Sequence, residues 1–441
     1  MSYSLLVAPL LSLCTPVDDS SNWLRFRGNA GTSVLAERDH PLEWSAEDNV
    51  AWTIDVPGSG WSSPIVVGPR VFLTTAVQEG GNSDGQGMRS GLASPMSRGG
   101  GGEAPTKEVR FEVHCVALAD GAPIWKKTVG ALVPAYAIHP SNTYATESPT
   151  SDGERLYVTF GALGAVVCLD LEGEELWRVE TGVHRTANDF GWSGSLLVRD
   201  GRVFMQNDND EESFLIALRA EDGEVLWRAE RGVGTSWGSP VAWSVDGEDQ
   251  VVTVGKDRVI AYAAASGEEI WSVNGIGEAF TSSPTFDAER LYFGTSSHMK
   301  KGPLVAVPAD ANGPMDLGAE EPPPVSWIAD RAGPGFPSPV VGGGYVYVVG
   351  SPAIVGCYDA ETGEEVYRER LPDAATIVPS PWIAGDELFI LDEAGTTFVV
   401  RVGEEFELVR TNELEGTFWS TPSVAGASLL LRAAGELHCI R

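Results

Sequence analysis

The stretch Ala217-Leu-Arg-Ala-Glu-Asp-Gly223-Glu-Val-Leu-Trp227 decides the reading of the chain, because its pattern returns. A small residue ends an apolar run, a glycine follows in a polar turn, and an aromatic stands four places later. The same offset joins Gly121 to Trp125, Gly173 to Trp177, Gly267 to Trp271 and Gly363 to Tyr367. Glycine suits a turn needing positive φ, and a ring at constant offset is placed to wedge between neighbouring units.

Working outward, each unit opens on a Ser-Pro start. The starts are Trp61-Ser-Ser-Pro64, Glu147-Ser-Pro149, Trp192-Ser-Gly-Ser195, Trp237-Gly-Ser-Pro240, Ser282-Ser-Pro284, Pro337-Ser-Pro339, Pro379-Ser-Pro381 and Trp419-Ser-Thr-Pro422. Between start and turn lie runs such as Arg155-Leu-Tyr-Val-Thr, Arg202-Val-Phe-Met and Tyr345-Val-Tyr-Val-Val, apolar enough to be strands covered on both faces. Each unit therefore holds four strands.

Eight starts predict an all-β, eight-bladed β-propeller as a single domain over residues 21–441. The starts are spaced by 85, 46, 45, 44, 55, 42 and 41 residues, so the two long steps mark insertions. Residues 77–108 carry nine glycines among Ser, Pro and charges, which reads as a flexible loop, and residues 310–324 are a second Pro/Gly/acidic insertion. The last unit has only three strands before Arg441. A spare strand, Asn49-Val-Ala-Trp52-Thr-Ile-Asp-Val56, precedes the first start and is expected to complete it, closing the ring and removing an exposed sheet edge. An open solenoid would need capping repeats and would not leave complementary fragments at the two ends. The rings expected to dock blade on blade are Trp52, Trp125, Trp177, Trp227, Trp271, Trp327 and Tyr367.

Sixty-two acidic against thirty basic residues give a net charge of −32, with no basic run longer than a pair such as Lys300-Lys301. A phosphate backbone would be repelled, which excludes nucleic acid as the expected partner. Five cysteines with no Cys-x-x-Cys and no adjacent pair read as free, small packing residues; Cys168, Cys357 and Cys439 share one repeat position with Ala217 and Ala261. Residues 1–20 hold a short apolar stretch, too brief to span a bilayer as a helix, that reads as a leader. It lacks a basic start, and bulky Leu13 stands before Cys14, where a lipidation site wants a small residue. The expectation is an exported, monomeric protein of the periplasm or cell envelope with no transmembrane span.

The spacing of Cys357, Asp359, Gly363 and Tyr367, shared by Ala217, Gly223 and Trp227 and, with one residue deleted, by Cys168, Asp170, Gly173 and Trp177, resembles the pyrroloquinoline-quinone-like (PQQ-like) propeller repeat. The resemblance covers nearly the whole chain after about Asn22. That repeat is shared by quinoprotein dehydrogenases, which hold the quinone and calcium, and by the non-catalytic BamB-type lipoprotein of outer-membrane β-barrel assembly. Phe26-Arg27-Gly28, Pro41-Leu42-Glu43-Trp44-Ser45, Gly60-Trp61-Ser62-Ser63-Pro64 and residues 208–214 resemble a third bacterial group found especially in planctomycetes. The dehydrogenase resemblance would imply a vicinal disulfide and a Glu/Asn/Asp calcium set. Adjacent cysteines are absent.

Three groups of residues are candidates for chemistry or binding. Asp208-Asn209-Asp210-Glu211 is the one dense oxygen cluster, placed where a polar hairpin turn is expected. His139 and His184 precede successive blade starts by similar distances and, with Glu147 and Asp189, have the residue types of a metal or acid/base site. Trp61, Tyr144, Trp192, Trp237, Phe280, Phe336 and Trp419 precede the blade starts and are expected to ring one mouth of the central channel, a surface suited to a protein or saccharide. Hydrolase and nucleotide-binding motifs are missing. The function expected is a non-catalytic scaffold binding an envelope protein or saccharide without cofactor; the alternative is a PQQ- or metal-dependent dehydrogenase.

Overall fold

The computed structural model describes residues 21–37, 39–41, 43–78, 104–277, 280–296, 301–321, 323–350 and 352–441. Within them the chain forms eight sheets arranged as a propeller ring of four-stranded blades, and the helical content is one 3-10 turn, Ala187–Asp189. The first blade is Ile65–Val67, Arg70–Gln78, Val109–Ala117 and Pro123–Leu132, antiparallel and in chain order from the inner strand outward. The eighth is Ser423–Ala425, Ser428–Ala433 and Glu436–Ile440, with Val50–Asp55 as its outer strand. Trp52 pairs with Cys439 across that seam, so the two ends of the chain close the ring. The leader at 1–20 and the body of the glycine-rich insertion at 79–103 lie outside the described residues.

Five of the seven expected docking rings hydrogen-bond across a blade boundary. Trp52, Trp125, Trp177, Trp227 and Trp327 donate their indole N–H to the carbonyls of Leu118, Leu171, Ala220, Ala264 and Ala360, just past the third strand of the next blade, at 2.9 to 3.1 Å. Their rings lie against Gly121, Gly173, Gly223, Gly267 and Gly363 of that same next blade, where any Cβ would strike the indole. The periodic glycine is thus the seat for the preceding blade's ring. Tyr367 makes an edge contact with Phe406 at 5.7 Å instead.

Trp271 departs from the pattern. It is fully buried and donates to Gln250 Oε1 of its own blade at 2.9 Å. The cause is the second insertion, whose Gly313–Asp316 crosses back as a parallel fifth strand outside Glu269–Asn274, with Trp271 opposite Gly313. Part of a segment that reads as plain loop is therefore sheet.

The serine of each Ser-Pro start explains the motif. The backbone N–H of Ser63 donates to Ser148 Oγ, and the relay continues through Ser195, Ser239, Ser283, Ser338 and Ser380 to Thr421, each step crossing one blade boundary at 2.8 to 3.0 Å. Proline follows at seven of the eight starts, while the serine satisfies a buried donor of its neighbour. At the seam between blades 8 and 1, buried Arg432 reaches the carbonyls of Ser62 and Thr74 at 2.9 Å, and Ser420 Oγ donates to Ser62 O at 2.9 Å.

Residues 22–35 fill the middle of the ring. Trp23 exchanges two backbone hydrogen bonds with Val66, Leu24 O accepts from Ser151, Arg25 reaches Val198 O, and Val34–Leu35 pairs in parallel with the inner strand Trp382–Ala384. Both ends of this plug meet the turns that follow inner strands, at Gly68 and Gly385. Its middle, Arg27, reaches the carbonyls of Pro284 and Pro339 at 2.7 and 2.6 Å, where inner strands begin. The plug therefore enters from one face and points its apex toward the Ser-Pro face.

Candidate functional site

The loops leading into the inner strands all emerge on the Ser-Pro face, and the aromatic candidates lie on these loops. The loops are tied to one another around the rim. Trp61 Nε1 donates to Ser141 O at 2.9 Å, Asn142 Nδ2 to Phe190 O at 2.8 Å, Trp237 Nε1 to Gly191 O at 2.8 Å, and Ser236 Oγ to Phe280 O at 3.1 Å. Trp61 and Trp419 face each other at 5.6 Å across the closing seam, and Phe190 meets Trp237 edge-on at 5.8 Å.

Burial divides the candidates. Tyr144, Trp192, Trp237, Phe336, Trp419 and His184 are half-buried and present surface, whereas Trp61, His139, Glu147 and Phe280 are buried. Phe280 is 0% exposed in the core shared by blades 4 and 5, beside Phe293 at 6.4 Å. Trp192 lies on the bare backbone of Gly161 and donates to His184 O at 3.1 Å. The rim is therefore both packing and surface: Trp61, Trp237 and Trp419 anchor their polar edges across blade boundaries, Tyr144 and Trp192 within their own loops, and part of five rings stays accessible.

The two histidines have different partners. His139 Nδ1 bonds Ser141 Oγ at 2.5 Å and its ring lies 5.1 Å from Phe190, with burial lowering its pKa. His184 stands against Thr181 O at 3.2 Å and Glu211 at 3.6 Å. Asp189 is held by Arg185 at 2.7 Å. Burial pushes the Glu147 carboxyl up to about 7, and its Oε1 accepts the Gly161 N–H at 2.8 Å. Glu393, which accepts from Trp419 Nε1 at 3.3 Å, is also raised by burial.

The oxygen cluster at residues 208–211 is engaged by the protein itself. Asp208 forms an ion pair with Arg231 at 2.6 Å, both side chains 0% exposed, and Asn209 Oδ1 caps the turn by accepting from the N–H groups of Glu211 and Glu212. Sequence reasoning missed Arg231 because it lies on the following blade connection, with nothing in the local pattern pairing it to Asp208. Among the described residues no three His, Cys, Asp or Glu side chains converge as metal ligands, and the four described cysteines are buried and free. Asp208 and Asn209, the oxygen ligands that the cluster would offer a cation, are thus already held by protein partners.

Eight four-stranded blades, serine-linked at their inner strands and docked by tryptophan on glycine, define a PQQ-like repeat β-propeller. The family model described as outer membrane protein assembly factor BamB matches residues 109–236, 212–311 and 320–417, more than half of the chain, and the chain belongs to that family. Its fold is similar to BamB from Moraxella catarrhalis, with TM-score 0.55 and 15% identity, covering 78% of this chain and 94% of that one. It is also similar in fold to a europium-containing methanol dehydrogenase, with TM-score 0.62, 12% identity and coverage of 93% of this chain and 89% of that one. In sequence it is 33% identical over 93 residues to the quinoprotein alcohol dehydrogenase PedH of Pseudomonas putida, a match over 21% of this chain and only 14% of the length of that enzyme. Among the described residues, no helix is long and apolar enough to cross a membrane.

Proposed function

We propose that the protein is a non-catalytic scaffold of the cell envelope that holds a protein or saccharide partner on its Ser-Pro face. The observation that carries this reading is the rim of half-buried rings, Tyr144, Trp192, Trp237, Phe336 and Trp419. Where their polar edges bond, they are anchored to loops: Tyr144 to Tyr136 O, Trp192 to His184 O, Trp237 to Gly191 O and Trp419 to Glu393. Rings held in this way offer rigid contact area at little entropic cost, which suits an extended polypeptide or a sugar. The nearby titratable groups each have a partner of their own, as a surface built for holding rather than for proton transfer would. Membership of the BamB family favours a protein partner and an envelope location.

The stretch shared with PedH favours a second reading, a dehydrogenase using PQQ or a metal. One experiment separates the two. Purified protein is cross-linked in envelope extract and assayed in parallel for dye-linked oxidation of alcohols and sugars after addition of PQQ and calcium. The scaffold reading expects an envelope protein or glycan whose capture falls at least tenfold in the Trp237→Ala, Trp419→Ala double variant, with no turnover. Turnover that needs the quinone, with no capture sensitive to the rim, overturns it.

A further inference from the structure

The plug carries the charge of Arg27 into a place where, among the described residues, no carboxylate pairs with it. Arg27 is 1% exposed at the apex, where Nη1 and Nη2 donate to the carbonyls of Pro284, Pro339 and Thr32. Carbonyl oxygens satisfy hydrogen bonds but do not neutralise a buried cation. Its Nε–H has no acceptor, and among the described residues Arg27 forms no ion pair. Burial pulls the guanidinium down to about 9, and Arg25 is lowered to about 10, first by burial and then by the charge of Arg199, against the pull of Asp249. In a chain of net charge −32, this is a locally cationic interior.

A void of about 10 Å³ lies beside these groups, lined by Arg25, Arg27, Ser239 and Ser283 among apolar neighbours and by no carboxylate. The two serine hydroxyls each accept one backbone N–H in the inter-blade relay, from Ser195 and Ser239 respectively, which leaves their own hydrogens to donate elsewhere. The polar lining thus offers side-chain donors and positive charge. Its volume is that of a single water-sized particle.

We propose that this void, walled by Arg25, Arg27, Ser239 and Ser283, binds one small monatomic anion of the chloride type, locking the plug in the ring. The anion supplies the charge that Arg27 lacks and an acceptor for donors left over in the wall. A water would supply the acceptor but not the charge.

The test uses the whole protein. Crystals soaked in bromide are expected to show an anomalous peak in this void, and replacing gluconate by chloride at constant ionic strength is expected to raise the melting temperature. At about 100 mM chloride, a site of about millimolar affinity raises it by about 3 °C for a chain of this size. Arg27→Gln is expected to abolish the response. If that variant does not fold, the bromide map and the chloride series on the unsubstituted protein decide. Density in the void with no anomalous signal, a melting temperature indifferent to chloride, or a response that Arg27→Gln retains in full would each overturn the proposal.

Discussion

Replacing Gly267 by alanine tests the rule that the periodic glycine seats the preceding blade's tryptophan. Gly267 has φ +76, and a Cβ there would lie 2.5 Å from Trp227 Cε3 and 2.7 Å from Cδ2. Gly247 in the same blade supplies the control, with φ +82 and nothing within 4 Å of the added carbon. Both substitutions place alanine in the left-handed region, at about 1–2 kcal/mol, offset by about 0.4–1 kcal/mol from the stiffer unfolded chain. Gly247→Ala should therefore destabilise by about 0.5–1 kcal/mol. Gly267→Ala must in addition displace a packed indole, at about 1–3 kcal/mol, and strains the Trp227 Nε1 bond to Ala264 O at 3.1 Å. Its total should be about 2–4 kcal/mol. Urea unfolding followed by tryptophan fluorescence measures both, with the slope m unchanged and the midpoint shifted. Equal losses in the two variants would refute the reasoning, because the ring would then have yielded without cost.

Three further outcomes follow from the same structure. Trp177→Phe keeps the ring over Gly223 but removes the donor to Ala220 O, so thermal unfolding should register a loss of about 1 kcal/mol, well below that of Trp177→Ala. Glu147 titrates in the fold at about 7 against 4.5 when free, so the native state keeps a proton that the unfolded chain releases and stability falls as pH rises through that window. The fall is at most about 3 kcal/mol, and denaturation curves at several pH values should show it absent in Glu147→Gln, which keeps the acceptor for Gly161 N–H. Arg231→Met strands the buried Asp208 charge and should cost about 3–5 kcal/mol in a urea titration, whereas adding Asp208→Leu should restore most of that loss.

Much of the ring could be read before any coordinate was known. Four strands per unit, eight units and the closing role of Val50–Asp55 follow from local periodicity, because a strand buried on both faces and a turn needing glycine write themselves into consecutive residues. The aromatic rim was legible as a set of positions. Which rings present surface was not: Phe280 and Trp192 occupy equivalent places, yet one is sealed beside Phe293 and the other remains half-buried. The His139, His184, Glu147 and Asp189 grouping shared a face and a spacing, but loop conformation gave each its own partner.

The sequence by itself determined the class of fold, the number of blades and the repeated Gly-to-aromatic positions, since each rests on contacts between near neighbours or on a repeated offset. Tertiary structure alone decided what those residues meet. The indole of Trp177 finds Gly223, forty-six positions on, and Arg27 finds Pro339 across 312 residues, pairings that depend on how the ring closes. The plug formed by residues 22–35 has no period of its own because its partners are inner strands of several blades, and only a closed ring brings those strands around one axis.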